Sequence, residues 1–129
     1  MSAPTATPAK AIDASALAAL LFGEPAADSV AERLGDARLV APALLGFKLA
    51  DITSRPHPEQ QSAFTAAFRL RHKLAVEKVA VDHDAALEPT AAGGLTAYDA
   101  SYLWLTRQLG ADLVTLDQQL ARADASSRR

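Results

Sequence analysis

Apolar and polar positions along this chain recur in two rhythms. Short apolar runs appear in KAID (10–13), ARLVA (37–41), VEKVAV (76–81) and ADLVTL (111–116), and each reads as a strand. Longer stretches between them carry apolar residues at helical spacing: ASALAALLF (14–22), AADSVAERL (26–34), a segment from Pro42 to about Ser54, PEQQSAFTAAFRLRHKLA (58–75), LTAYDASYLWLTRQL (95–109) and DQQLARA (117–123). Stops fall where helices end: Gly23 with Pro25, Gly35, the Arg55-Pro56-His57-Pro58 break, and Gly110. DHDAALEPTAAGG (82–94) starts as a helix, but Pro89 and two glycines cut it short.

Strands alternating with helices over short connections predict an α/β fold, with a parallel sheet of about four strands covered on both faces. In such a sheet, ligands gather at the carboxyl ends of the strands, near the point where strand order reverses.

One position breaks the pattern. In APALLGFKLADITS (41–54), helical spacing puts Ala41, Leu44, Leu45, Lys48, Leu49 and Ile52 on one face. Lys48 is the single charge there, and lysine is rarely buried without a partner.

Composition narrows the classes. The 129 residues suit one domain spanning 1–129, with 1–8 and 124–129 reading as frayed tails. At 50% hydrophobic residues the chain can build a core. There is no cysteine, which excludes disulfides, thiolate metal sites and a cysteine nucleophile. The longest strongly apolar run, 16–22, is too short to span a bilayer, and the first ten residues lack the features of a secretory signal. The expectation is a soluble, cytoplasmic protein. A net charge of −2 exerts no global pull on nucleic acid, so binding phosphate requires a local patch or a cation.

Three aspartates stand at informative places. Asp13 closes the first strand, Asp117 closes the fourth, and Asp99 lies in the first turn of the helix before the fourth strand. Each also suits a helix-capping role, and Thr96 with Asp99 matches a capping box. If the first and fourth strands are neighbours, Asp13 and Asp117 emerge side by side, and Asp99 reaches them if its helix N-terminus points at the same edge. Carboxylates crowded together call for a cation. An all-oxygen set suits Mg²⁺ or Mn²⁺, whose chemistry fits phosphodiester hydrolysis.

At these residues the chain resembles PIN-domain proteins, specifically the VapC-type toxins of bacterial toxin–antitoxin pairs. The segments that carry the resemblance are AIDASALAALLFGEP (11–25), RLVAPALLGFKLAD (38–51) and GLTAYDASYLWLTRQLGADLVTLDQQLA (94–121). The resemblance implies a three-layer α/β/α domain, a homodimer, and a Mg²⁺- or Mn²⁺-dependent endoribonuclease. It also implies a VapB-type antitoxin whose C-terminal segment covers the active site. The family's acidic positions fall on Asp13, Asp99 and Asp117 as metal ligands. A further family glutamate falls on Lys48, and a following asparagine on Asp51.

Lysine in place of glutamate changes the local charge by two units. Three accounts are open: an inactivating substitution, a disabled nuclease kept to bind antitoxin or RNA, or an enzyme working with three aspartates and aided by Asp51. Arg55, Arg69, Arg71, Lys73 and Arg107 are candidate RNA-backbone contacts, although a helix C-terminus attracts such cations by itself. His83 between Asp82 and Asp84 reads as a surface turn. Tyr98, Tyr102 and Trp104 suit packing as well as base stacking. Ser15 and Ser101 have no histidine at a spacing that suggests a nucleophile. A phospho-acceptor receiver domain also gathers aspartates and a lysine, but Lys48 lies inside a helix rather than at a late strand end.

Overall fold

The computed structural model describes residues 8–54, 60–69, 73–87 and 95–127. In chain order the elements are β1 (Ala9–Ile12), α1 (Ala14–Phe22), α2 (Ala27–Leu34), β2 (Arg38–Pro42), α3 (Leu44–Thr53), α4 (Gln61–Arg69), β3 (Val76–Val79), α5 (His83–Leu87), α6 (Ala97–Leu109), β4 (Asp112–Val114) and α7 (Gln118–Ser127). The strands form one sheet in the order β3-β2-β1-β4. Every pairing is parallel: Lys10 opposite Leu39, Ala11 opposite Leu113, and Val40 opposite Glu77.

The chain winds outward from β1 through β2 to β3, then returns to place β4 on the other side of β1. Strand order therefore reverses between β1 and β4. Helices α1, α3 and α4 pack on one another, and α1 also packs on α2. On the opposite face, α6 packs against β1, β2 and β4, with α5 and α7 beside it. The result is three layers, α/β/α, as the alternation of strands and helices predicts.

Burial explains why the elements hold. Ile12 and Val40 on the central strands, Leu45 and Leu49 on α3, Leu105 on α6 and Leu120 on α7 are all essentially inaccessible and belong to one core. The rings of Phe22 and Phe64 meet at 4.7 Å and join α1 to α4. Helices α1 and α6 both end on glycines in the left-handed region, Gly23 at φ 63° and Gly110 at φ 59°. There a side chain would crowd the following carbonyl. Truncating Leu105 removes side-chain atoms that have no solvent exposure. Leu105→Ala is expected to cost about 2–5 kcal/mol of unfolding free energy, read by denaturant melts. A cost below about 1 kcal/mol would contradict a close-packed α6.

Several boundaries differ from the sequence expectation. Pro42 closes β2, paired in register with Val79, and α3 begins at Leu44. Proline's fixed φ suits an extended end as well as a helix start. The inward face of α3 is narrower than its spacing suggests: Leu45 and Leu49 are buried, while Leu44 is 41% exposed. Strands β3 and β4 end at Val79 and Val114, earlier than their apolar runs. Helix α7 continues to Ser127, beyond the point where composition reads as a tail. Within the long expected helix of 58–75, the described helix is α4. The segment 88–94 lies outside the described residues.

Candidate active site

Asp13 follows β1 directly and serves as N-cap of α1. Its Oδ1 accepts from the Ala16 N–H at 3.1 Å and from the Ser15 hydroxyl at 2.7 Å. Its Oδ2 accepts from the Thr115 hydroxyl at 2.7 Å. Thr115 Oγ1 in turn accepts from the Asp117 N–H at 3.0 Å, and Ser15 Oγ accepts from the Leu116 N–H at 2.9 Å. The end of β4 is thus stitched to the start of α1 through the Asp13 carboxylate.

Asp117 caps α7: its Oδ1 accepts from the N–H groups of Gln119 and Leu120 at 2.9 and 3.2 Å. Asp99 sits in the first turn of α6, where Thr96 caps the helix by accepting from the Asp99 N–H at 3.1 Å. Asp13, Thr96 and Asp117 cap these helices as expected. They also aim three helix N-termini, those of α1, α6 and α7, at one place.

That place is a cavity of about 410 Å³ lined by Asp13, Ser15, Lys48, Thr96, Asp99, Asp117 and neighbours. It lies at the carboxyl ends of β1 and β4, where strand order reverses. The adjacency of the first and fourth strands, stated above as a condition, is met.

Electrostatics mark the crowding. Burial pushes the Asp13 carboxyl up from its ordinary 3.8, and the Asp117 charge adds to this; hydrogen bonds from Ser15, Thr115 and Ala16 oppose it. Burial also raises Asp99, followed by repulsion from Asp117 and, more weakly, Asp13, while Thr96 and the Lys48 charge oppose the rise. A folded state with raised carboxyl pKa values binds protons more tightly than the unfolded chain. The stability these groups contribute is full below 3.8 and is lost as pH rises through their folded-state values. Asp99→Asn is therefore expected to gain melting temperature relative to the parent as pH goes from about 3 to about 7 without metal. A difference that stays flat across that range would contradict the crowding.

Lys48 is half-buried and lines the same cavity. Its Nζ stands 5.8 Å from the centre of the Tyr98 ring, a cation–π distance. It makes no ion pair with the described carboxylates, although its charge acts on Asp99. Asp51 is exposed and does not line the cavity, so it does not stand in for a carboxylate at position 48.

Among the described residues, no three His, Cys, Asp or Glu side chains already form a metal cage. The donor chemistry nevertheless fits a hard divalent cation. Three carboxylates line one cavity, and the Asp117 charge adds to the raised proton affinity of Asp13 and Asp99. Asp13 Oδ2, with one hydrogen bond, keeps further acceptor capacity.

The proposed RNA contacts are scattered. Arg69 is exposed in the last turn of α4, and Lys73 is exposed before β3. Arg107 lies about 12 Å along α6 from Asp99, by helical rise, in a separate groove with Gly110 and Ser127. Arg55 and Arg71 lie outside the described residues. His83 opens α5 as an exposed residue, with Asp82 accepting from the Ala85 N–H at 3.2 Å.

Sequence reasoning missed how Ser15 and Thr115 hold Asp13. The available signal was a hydroxyl residue two positions after one aspartate and two before another, DAS and TLD, at facing strand ends.

The family model for the PIN domain matches residues 10–126. The chain is similar in structure to PAE2754 from Pyrobaculum aerophilum, at TM-score 0.67 and 23% identity, covering 92% of this chain and 85% of that one. No curated protein matches the sequence.

Proposed function

The chain belongs to the PIN domain family, and from that membership and the geometry of the site we propose that it is a metal-dependent endoribonuclease, the toxin of a VapBC-type pair. Its nuclease-type fold is common ground; the finer reading rests on one observation. Three aspartates far apart in sequence, Asp13, Asp99 and Asp117, line a single cavity at the switch point of a parallel sheet.

Asp13, Asp99 and Asp117 would hold Mg²⁺ or Mn²⁺. When bound, the metal supplies polarisation of the phosphoryl oxygen and a more acidic water. Everything else falls to the chain's own groups. Ser15 and Thr115 orient Asp13 by donating to its two oxygens. The N-termini of α1, α6 and α7 present partial positive charge to the cavity, which favours a phosphate there. The cavity opens at the sheet edge, so an RNA backbone can be laid across it from solvent. The partners of this reading are an RNA substrate, a VapB-type antitoxin and a second copy of the chain. Among the described residues no helix is long and apolar enough to cross a membrane, and the reading places the protein in the cytoplasm.

A second reading has its own observation. Lys48 presents an ammonium to the cavity where the resembled family has a glutamate, which favours a disabled domain that binds antitoxin or RNA without cutting. Incubating a panel of structured RNAs with the parent chain and with Lys48→Glu, each with Mn²⁺ and with chelator, separates the two: cleavage by the parent, weaker than by Lys48→Glu, carries the nuclease reading, and cleavage by Lys48→Glu alone the disabled one. The nuclease reading expects cleavage that chelator abolishes. A folded, Mn²⁺-loaded variant that leaves the panel intact overturns it. The toxin role is tested by growth: expression of Lys48→Glu is expected to arrest cells, and co-expression of a short neighbouring reading frame to relieve the arrest.

A further inference from the structure

Two tyrosines on α6 reach across to the point where β1 becomes α1. The Ala14 N–H donates to Tyr98 Oη at 3.1 Å. The Tyr98 hydroxyl donates to Tyr102 Oη at 3.4 Å, and the Tyr102 hydroxyl donates to the Ile12 carbonyl at 2.8 Å. The chain of bonds is closed and runs in one direction. It begins and ends on the peptide groups immediately before and after Asp13.

Each link has a reason. Ala14 is the first residue of α1, so its N–H has no intrahelical acceptor. Tyr98 and Tyr102 are four residues apart and stack on one side of α6, rings 5.1 Å apart in an edge-on arrangement. Tyr102 has no solvent exposure and Tyr98 is half-buried. A buried, fully satisfied chain of hydroxyls is stiff, since each bond polarises the next. Burial pushes the Tyr98 phenol up to about 12, and Tyr102 well above its ordinary value, so both keep the protons that the chain requires.

We propose that Tyr98 and Tyr102 are positioning residues that fix Asp13 through the peptide groups on either side of it, and tie it to Asp99, the residue next to Tyr98. Asp13 is held twice. Ser15 and Thr115 orient its carboxylate, while the tyrosine pair sets where its Cα stands relative to α6. This rests on the reading of Asp13 and Asp99 as ligands of one metal, because only then does their spacing carry a function. Partners of this kind, one step removed from a metal, commonly govern its affinity.

The variants that isolate the hydroxyls are Tyr98→Phe and Tyr102→Phe, which keep the rings, the packing and the face on which Lys48 rests. In the Lys48→Glu chain, each is expected to lower Mn²⁺ affinity and kcat by about tenfold with KM for RNA unchanged. Unchanged Mn²⁺ affinity and kcat would leave the tyrosines as packing alone and overturn the proposal. Amide exchange at Ala14 in the metal-free chain provides an independent test. The Ala14 N–H donates to Tyr98 and not to Tyr102, so faster exchange there in Tyr102→Phe reports transmission through the hydroxyl chain. Exchange at Ala14 unchanged in both variants overturns the proposal whatever the metal result. If Lys48→Glu binds no Mn²⁺ at all, the nuclease reading fails, while Ala14 still decides whether the hydroxyls fix Asp13.

Discussion

Lys48→Glu is expected to raise Mn²⁺-dependent RNA cleavage by about 100-fold over the parent chain, measured on a structured RNA with saturating metal. The Lys48 ammonium lines the same cavity as Asp13, Asp99 and Asp117, and its charge already acts on Asp99. A positive charge lining the same cavity opposes a divalent cation there by like-charge repulsion, more strongly the less water separates them. Lys48 is only half-buried, so solvent removes much of that. Removing the ammonium takes away repulsion of the metal, and the new carboxylate adds a ligand of the kind the cavity already holds. Lys48→Met separates these contributions: it relieves repulsion but adds no ligand, and falls between the parent and the glutamate variant. Equal rates for all three would show that position 48 does not control the site.

Asp13→Asn in the Lys48→Glu chain is the second large effect. Cleavage is expected to fall by about 1000-fold or more, since a neutral amide cannot supply the charge that holds a divalent ion. Folding survives the change. Asparagine is as good an N-cap as aspartate, but its amide nitrogen cannot accept from the Ser15 or Thr115 hydroxyl as a carboxylate oxygen does. The melting temperature without metal is therefore somewhat below that of the parent, while the Mn²⁺-induced rise in melting temperature disappears. A variant that loses activity and also unfolds would instead assign Asp13 a purely structural role.

The fold and the site were legible to different degrees. The four apolar runs and the glycine stops carry their own physical signal, because a buried strand and a helix C-terminus each demand particular residues. The aspartates were legible as strand-end and first-turn residues. Their convergence was legible only as a condition, because the neighbour of β1 on its far side is β4, a pairing that no local pattern encodes. Lys48 was visible as a charge among apolar positions, but not its rest on the Tyr98 face, since two helices distant in sequence meet there. Leu44 fits the helical rhythm and yet is exposed. Spacing gives an angle on a helix; the packing of α3 against α1 and α4 decides which angle is covered. Pro42 was ambiguous for a similar reason, as its fixed φ serves both a strand end and a helix start.

The central claim is that Asp13, Asp99 and Asp117 form a divalent-metal site whose strength Lys48 controls. Calorimetric titration with Mn²⁺ tests this most directly, comparing the parent chain, Lys48→Glu, and Lys48→Glu with Asp13→Asn. Weak binding by the parent, binding about tenfold or more tighter in Lys48→Glu, and none once Asp13 is neutral is the predicted result. Equal Mn²⁺ affinity in the three proteins would contradict it.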